Sequence, residues 1–273
     1  MEQDKLRIEN TFVNKVQKKP VMMDNVLFTI SIKRLALTTV ALPLISMFLC
    51  FVISILFHFT IVTTTICSPK VFNFCPSVSA ITGISPQQYI WRVGVALHCT
   101  PRLLLSWLYH GHHTNLAVRV TTDQRPLYLR LVNLNFWTNV AEILALVGVT
   151  YISNRDNYPV HEKIFILFMA SSIAYMLGTC ACCKMAQSKV TSDMERRSWI
   201  IKCCLFILIA LCSIAMTYFF YRHRVYCQEL AFSWFAMLEY VICFANMCFH
   251  ATIMWDLRGQ ELVIGLPSAG KDD

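Results

Sequence analysis

About six blocks of roughly twenty apolar residues, separated by polar joints, constrain this chain more than any other feature. They run approximately over Leu35–Phe59, Ile90–Tyr109, Leu131–Tyr151, Ile164–Cys183, Ile200–Phe220 and Leu230–Trp255. A helix rises 1.5 Å per residue, so roughly 20 residues cross a hydrocarbon core of roughly 30 Å. None of the blocks alternates apolar and polar residues, which argues against barrel strands. Of the 273 residues, 56% are apolar, above the roughly 45–50% of soluble domains. The fold class read from this is all-α: a polytopic membrane protein, a bundle of about six transmembrane helices.

Orientation follows from the basic residues, which mark cytosolic joints. The N-terminal segment holds Lys5, Arg7, Lys15, Lys18, Lys19, Lys33 and Arg34. The second joint holds Arg119, Arg125 and Arg130, and the fourth holds Lys184, Lys189, Arg196 and Arg197. The alternate joints hold fewer: Lys70, then Arg155 and Lys163, then Arg222 and Arg224. This predicts a cytosolic tail over 1–33, a transmembrane domain over 34–258 with a luminal loop at about 60–89, and a cytosolic tail over 259–273. Both termini are then cytosolic. The first block is too long for a cleaved signal sequence, whose apolar region spans roughly 7–15 residues. The formal charge of +8 is spread over joints instead of forming one patch, so no nucleic-acid partner is expected.

The thirteen cysteines lie mostly inside apolar blocks, where Cys behaves as a small hydrophobe. Cys67, Cys75 and Cys227 fall in luminal joints, where disulfides are permitted. A Cys67–Cys227 bond would tie the first luminal loop to the last, although a third thiol leaves the pairing open. Cys182, Cys183, Cys203 and Cys204 are either palmitoylation sites or inert thiols. His110, His112 and His113 cluster without the further ligands that zinc needs, so no metal is expected. Ser85, Pro86 and Gln88 fit the start of the second span as cap, first and third positions.

Polar groups inside hydrocarbon are costly and mark functional sites by default. His98 and Arg102, four apart, share one face of the second span. Counted from Ile90 they lie roughly 12 and 18 Å deep. Pro101 between them removes one backbone hydrogen bond. Asn135, Asn139 and Glu142 form one face of the third span, and Glu239, Asn246 and His250 one face of the sixth. These stripes face inward, toward each other or a wet cavity, with Arg102 flanked by Glu142 and Glu239. They read either as an ion-pair cluster that sets helix packing or as a working site. His161 and Glu162 begin the fourth helix, where a carboxylate also answers the helix dipole.

Several runs resemble the post-GPI attachment to proteins factor-two family. They are Leu56-Phe57-His58-Phe59, Pro76-Ser77-Val78-Ser79-Ala80, Leu97-His98 with Pro101-Arg102, Asn139 with Glu142, and His161-Glu162. Leu238-Glu239-Tyr240, Asn246-Met247 with Phe249-His250, and Trp255-Asp256 continue the pattern. The resemblance spans roughly residues 33–265, within a superfamily that includes DRAM-type membrane proteins.

The resemblance implies fatty-acid remodelling of glycosylphosphatidylinositol (GPI) anchors after their attachment to protein. In that step a lyso-GPI is re-acylated at sn-2 with a saturated chain, supporting surface display of GPI-anchored proteins. It implies membrane lipids as partners, lyso-GPI or GPI-anchored proteins as substrate, and a Golgi or endoplasmic reticulum membrane location. No cofactor is implied, and the acyl donor is either acyl-CoA or a phospholipid. Read as an acyltransferase, the catalytic candidates are His98, Arg102, Glu142 and Glu239. His98 is the base, a glutamate orients it, and Arg102 steadies the oxyanion or a lipid phosphate. Asn139, Asn246, His250, His161 and Glu162 are substrate-binding candidates. A lipid transporter or scramblase, and an adaptor for a separate enzyme, are the alternative readings.

Overall fold

A computed structural model of the chain describes residues 23–188 and 191–267. Lys5, Arg7, Lys15, Lys18, Lys19 and Lys189, with the outer parts of both expected tails, lie outside the described residues. The described residues form two compact units.

The larger unit, residues 33–258, is helical. Its long helices are α1 (Ile32–Phe57), α4 (Gln87–Leu116), α5 (Arg125–Tyr151), α6 (Tyr158–Met185), α7 (Asp193–Tyr226) and α8 (Ala231–Ala251). Short helices α2 (Phe59–Thr63) and α3 (Val78–Thr82) sit in the loop after α1, and α9 (Ile253–Asp256) extends α8. Five of the long helices are apolar and long enough to span a bilayer. The exception, α4, is 30 residues long but carries Arg92, His98, Arg102 and three further histidines. The chain is thus an all-α, polytopic membrane protein.

Most helices run beyond the apolar blocks that announced them. Helix α7, expected over 200–220, spans 193–226 because Ser192 and Glu195 close a capping box at its start: each side chain satisfies the other's backbone N–H. Helix α4 departs from expectation at its first turn. Gln87 is its first residue and Ser85 makes no cap. Gln87 instead turns inward and donates from Nε2 to Ser54 Oγ at 3.1 Å, with His58 Nδ1 3.0 Å away.

The loop joining α1 to α4 folds into one end of the bundle. The Phe74 amide donates to Ser233 Oγ (2.9 Å), and Tyr240 Oη donates to the Pro76 carbonyl (3.0 Å). Cys67 and Cys227 are joined by a disulfide across 160 residues of sequence. Cys75 is a free thiol. At the opposite end, Arg119 pairs with Glu195 at 3.2 Å.

The smaller unit includes residues 23–31 and 261–267, which fall within the two expected tails. Strand β1 (Met23–Ser31) pairs antiparallel with β2 (Glu261–Pro267), in a register of Val26 with Gly265 and Ile30 with Leu262. Strand β1 carries Val26, Phe28, Thr29 and Ile30, and β2 carries Val263 and Ile264, residue types that favour a pleated strand.

Candidate functional site

Helices α4, α5 and α8 turn their polar stripes toward one another. Arg102 and Glu142 form an ion pair at 2.7 Å, their side chains 5% and 0% exposed. Such a pair is stable out of water only with good geometry and further hydrogen bonds. Asn246 Nδ2 donates to Glu142 Oε1 at 3.0 Å and lies 2.7 Å from Ser172 Oγ. His250 Nε2 lies 2.6 Å from Arg102 Nη2 and 3.2 Å from Glu142 Oε1. A guanidinium only donates, so this nitrogen accepts from Arg102. The His250 ring stacks on Tyr175 at 5.4 Å.

His98 is held differently from the expectation. Its Nδ1 lies 2.7 Å from the Thr39 carbonyl of α1, so Nδ1 carries the proton. Its Nε2 faces Arg102 Nη1 at 3.4 Å. No glutamate orients this ring; a backbone carbonyl does. Its free lone pair is turned to a guanidinium instead of open space. Asn139 donates to Ser106 Oγ at 2.8 Å, and Ser106 donates to the Arg102 carbonyl at 2.9 Å. Asn135 donates to Thr179 Oγ1 on α6 at 2.9 Å.

Glu239 stands apart from this cluster, which corrects its expected place beside Arg102. Its Oε2 accepts from the Val78 amide at 2.8 Å. The carboxylate answers the amides that open α3, where no preceding turn supplies acceptors. Beside it, buried His161 places Nε2 3.0 Å from Ser79 Oγ and Nδ1 2.7 Å from the Ile152 carbonyl. Asn157 caps α6 and fixes the first turn that carries His161. Asp156 accepts from the Ser153 hydroxyl and amide and pairs with Arg92 at 3.1 Å, holding the 152–157 turn. Those hydrogen bonds keep the Asp156 carboxyl below its usual range.

A cavity joins the two groups. His98, Arg102 and His250 line one end, and Ser79, His161 and Glu239 the other. A second cavity shares Ser79, His161 and Glu239 and continues past Glu162 toward Ile166 and Thr217. The last two are exposed on the outer sides of α6 and α7.

The sequence of this framework matches known proteins. The family described as Frag1/DRAM/Sfk1/Cwh43P N-terminal domain matches residues 31–260. A post-GPI attachment to proteins factor 2-like protein of Drosophila melanogaster is 43% identical over 86% of this chain and 72% of its own length. The protein named acyltransferase PGAP2 of Xenopus tropicalis is 38% identical over 89% of this chain and 94% of its own. The chain belongs to the post-GPI attachment to proteins factor 2 family. No solved structure matches it.

In this family member a second buried charge pair escaped the sequence reading. Lys202 Nζ lies 2.6 Å from Asp256 Oδ2, which also accepts from Tyr109 Oη at 2.7 Å. Ser198 donates to the other carboxylate oxygen at 2.7 Å. The Asp256 side chain is only 9% exposed. The signal available was Lys202, two residues inside an apolar block. Of the three clustered histidines, His113 bonds Tyr128 (3.1 Å) and His110 bonds Asn133 (2.8 Å). Among the described residues no group of His, Cys, Asp and Glu is arranged for a metal ion. Cys182 is fully buried, whereas Cys204 is exposed.

Proposed function

We propose that the protein remodels the lipid of GPI anchors after their attachment to protein, by transferring a saturated acyl chain to the sn-2 hydroxyl of a lyso-GPI. The observation that carries this reading is the joined cavity: polar at both inner groups, apolar where it reaches the outer helix faces. A lysolipid has that polarity, a polar glycerol beside an apolar chain. The relatives named for post-GPI attachment, one of them named as an acyltransferase, support the same reading.

In this reading the basic joints face the cytosol, so the loop end faces the lumen of the Golgi or endoplasmic reticulum. That is the side on which GPI-anchored proteins reside. The Arg102–Glu142–His250 cluster, with His98, Asn139 and Asn246, forms the deep polar wall that positions the lipid. Glu162 borders its entrance.

The test is product formation by the purified full chain in liposomes holding lyso-GPI and an acyl donor. Mass spectrometry is expected to find diacyl GPI only when the protein is present. Absence of product with either acyl-CoA or phospholipid overturns the reading. Headgroup movement across the bilayer without product would replace it by lipid transport.

A further inference from the structure

We infer that Ser79 and His161 are a nucleophile–base pair that carries the acyl group as a covalent ester on Ser79. This inference rests on the re-acylation reading and deepens it. The geometry starts from the ring. A carbonyl oxygen only accepts, so the 2.7 Å contact to Ile152 puts the proton of neutral His161 on Nδ1. Nε2 is then a lone pair, 3.0 Å from Ser79 Oγ, and accepts that hydroxyl's proton. A nucleophile bonded to a base, with the base oriented by a third group, is the arrangement that activates serine.

The neighbouring serine shows that this placement is not generic. Ser77 uses its hydroxyl to cap α3, accepting from the Ala80 amide at 3.1 Å. Ser79 is free of that duty and only half-buried, while its base is buried. It also stands where the two cavities meet. One arm leads to the Arg102 cluster, and the other passes Phe165, Phe235, Met216 and Ile166 to the outer face. An acyl chain lying in the apolar arm brings its ester carbonyl to Ser79. Glu239, bonded to the Val78 amide, holds the backbone that presents the serine.

The substrate class is a long-chain acyl ester or thioester. Ser79 Oγ attacks its carbonyl carbon, and the hydroxyl proton passes to His161 Nε2. The donor's carbon–oxygen or carbon–sulfur bond breaks, and its leaving group takes that proton. The sn-2 hydroxyl of the lysolipid then gives its proton to Nε2 and attacks the Ser79 ester. The carbon–Oγ bond breaks, and Ser79 recovers the proton from His161. No oxidant, reductant or metal is consumed.

The experiment uses the purified full chain in liposomes. One readout is acyl transfer to lyso-GPI from sn-2-labelled phosphatidylcholine or from labelled acyl-CoA, which separates the two donor sources. The other is covalent labelling by a fluorophosphonate, located by peptide mass spectrometry and independent of any lipid substrate. Wild type is expected to label at Ser79, and His161→Gln to label roughly a hundredfold more slowly, the scale of a general base. Ser79→Ala is expected to lose transfer by a similar factor. Ser79→Cys, which keeps a nucleophile, is expected to become labelled at that position by the acyl group itself.

Full transfer by Ser79→Ala overturns the pair while leaving the re-acylation reading standing. If wild type transfers nothing from either donor, that reading fails, and fluorophosphonate labelling alone then decides the pair. Absence of labelling at Ser79 in protein that retains wild-type thermal unfolding overturns it.

Discussion

Glu142 is fully buried and touches Arg102, Asn246 and His250, so its charge is matched only while Arg102 stays in place. Removing one partner of a buried pair leaves an isolated charge and costs about 3–5 kcal/mol. Arg102→Met is therefore expected to lower the thermal unfolding temperature of the purified protein sharply. Adding Glu142→Met to that variant removes the stranded charge and is expected to recover much of the loss, because apolar replacements of buried pairs are often neutral. Recovered stability without recovered lipid transfer would separate the cluster's packing role from its positioning role. Glu142→Gln alone is expected to be the milder change, since it keeps an acceptor for Asn246. The sequence showed which helix faces would meet, because i, i+4 and i+7 spacing fixes a face. It did not show partners. Glu239 and Glu142 look alike as intramembrane carboxylates, yet one meets a guanidinium and the other a backbone amide. That difference depends on where a loop 161 residues away along the chain folds back.

At the scale of elements, α1 and α4 approach at Gly94. A Cβ there would land on Ser46 Oγ and 2.8 Å from Ser46 Cβ. Small residues at such crossings let membrane helices pack closely. Gly94→Ala is expected to cost about 1–3 kcal/mol by overpacking, read as a lowered unfolding temperature. Pairing it with Ser46→Gly clears the colliding atoms, since the next neighbour is the Leu42 carbonyl at 3.5 Å, an ordinary contact. The double variant is expected to unfold closer to wild type than Gly94→Ala alone; equal destabilisation would argue against a steric cause. The helices themselves were legible, because hydropathy registers a span whatever it packs against. Their ends were less so. The capping box of α7 was written as Ser192 and Glu195, but it lies in a polar joint outside the apolar block. The β1–β2 pairing was hidden because its strands are separated by more than 200 residues, and no local pattern links them.

At the scale of the whole molecule, one end of the helical unit gathers the α1–α4 loop, the 152–157 turn and the α7–α8 turn. The Cys67–Cys227 bond joins the first of these to the last, and Arg155 Nη2 donates to the Ile61 carbonyl. In the α7–α8 turn, Cys227 and Leu230 take left-handed backbone with φ of 45° and 60°. That conformation costs roughly 1–2 kcal/mol per residue outside glycine, so the disulfide holds a turn that resists closing. The opposite end carries Lys33, Arg34, Arg119, Arg125, Arg130, Lys184, Arg196 and Arg197, more basic residues than the disulfide end, and the positive-inside rule predicts a cytosolic position for it. In the proposed orientation the disulfide end faces an oxidising lumen, where cysteine pairs form. Glycosylation tests this orientation. Lys70→Asn with Phe72→Thr builds an N-x-T acceptor on two exposed positions of the disulfide end. Thr121→Asn with Asp123→Thr builds one on exposed positions of the opposite end. Only the first is expected to gain a glycan, seen as a gel shift removed by endoglycosidase. Modification of the second would invert the molecule, place Ser79 and His161 on the cytosolic side, and make acyl-CoA instead of a luminal phospholipid the accessible donor.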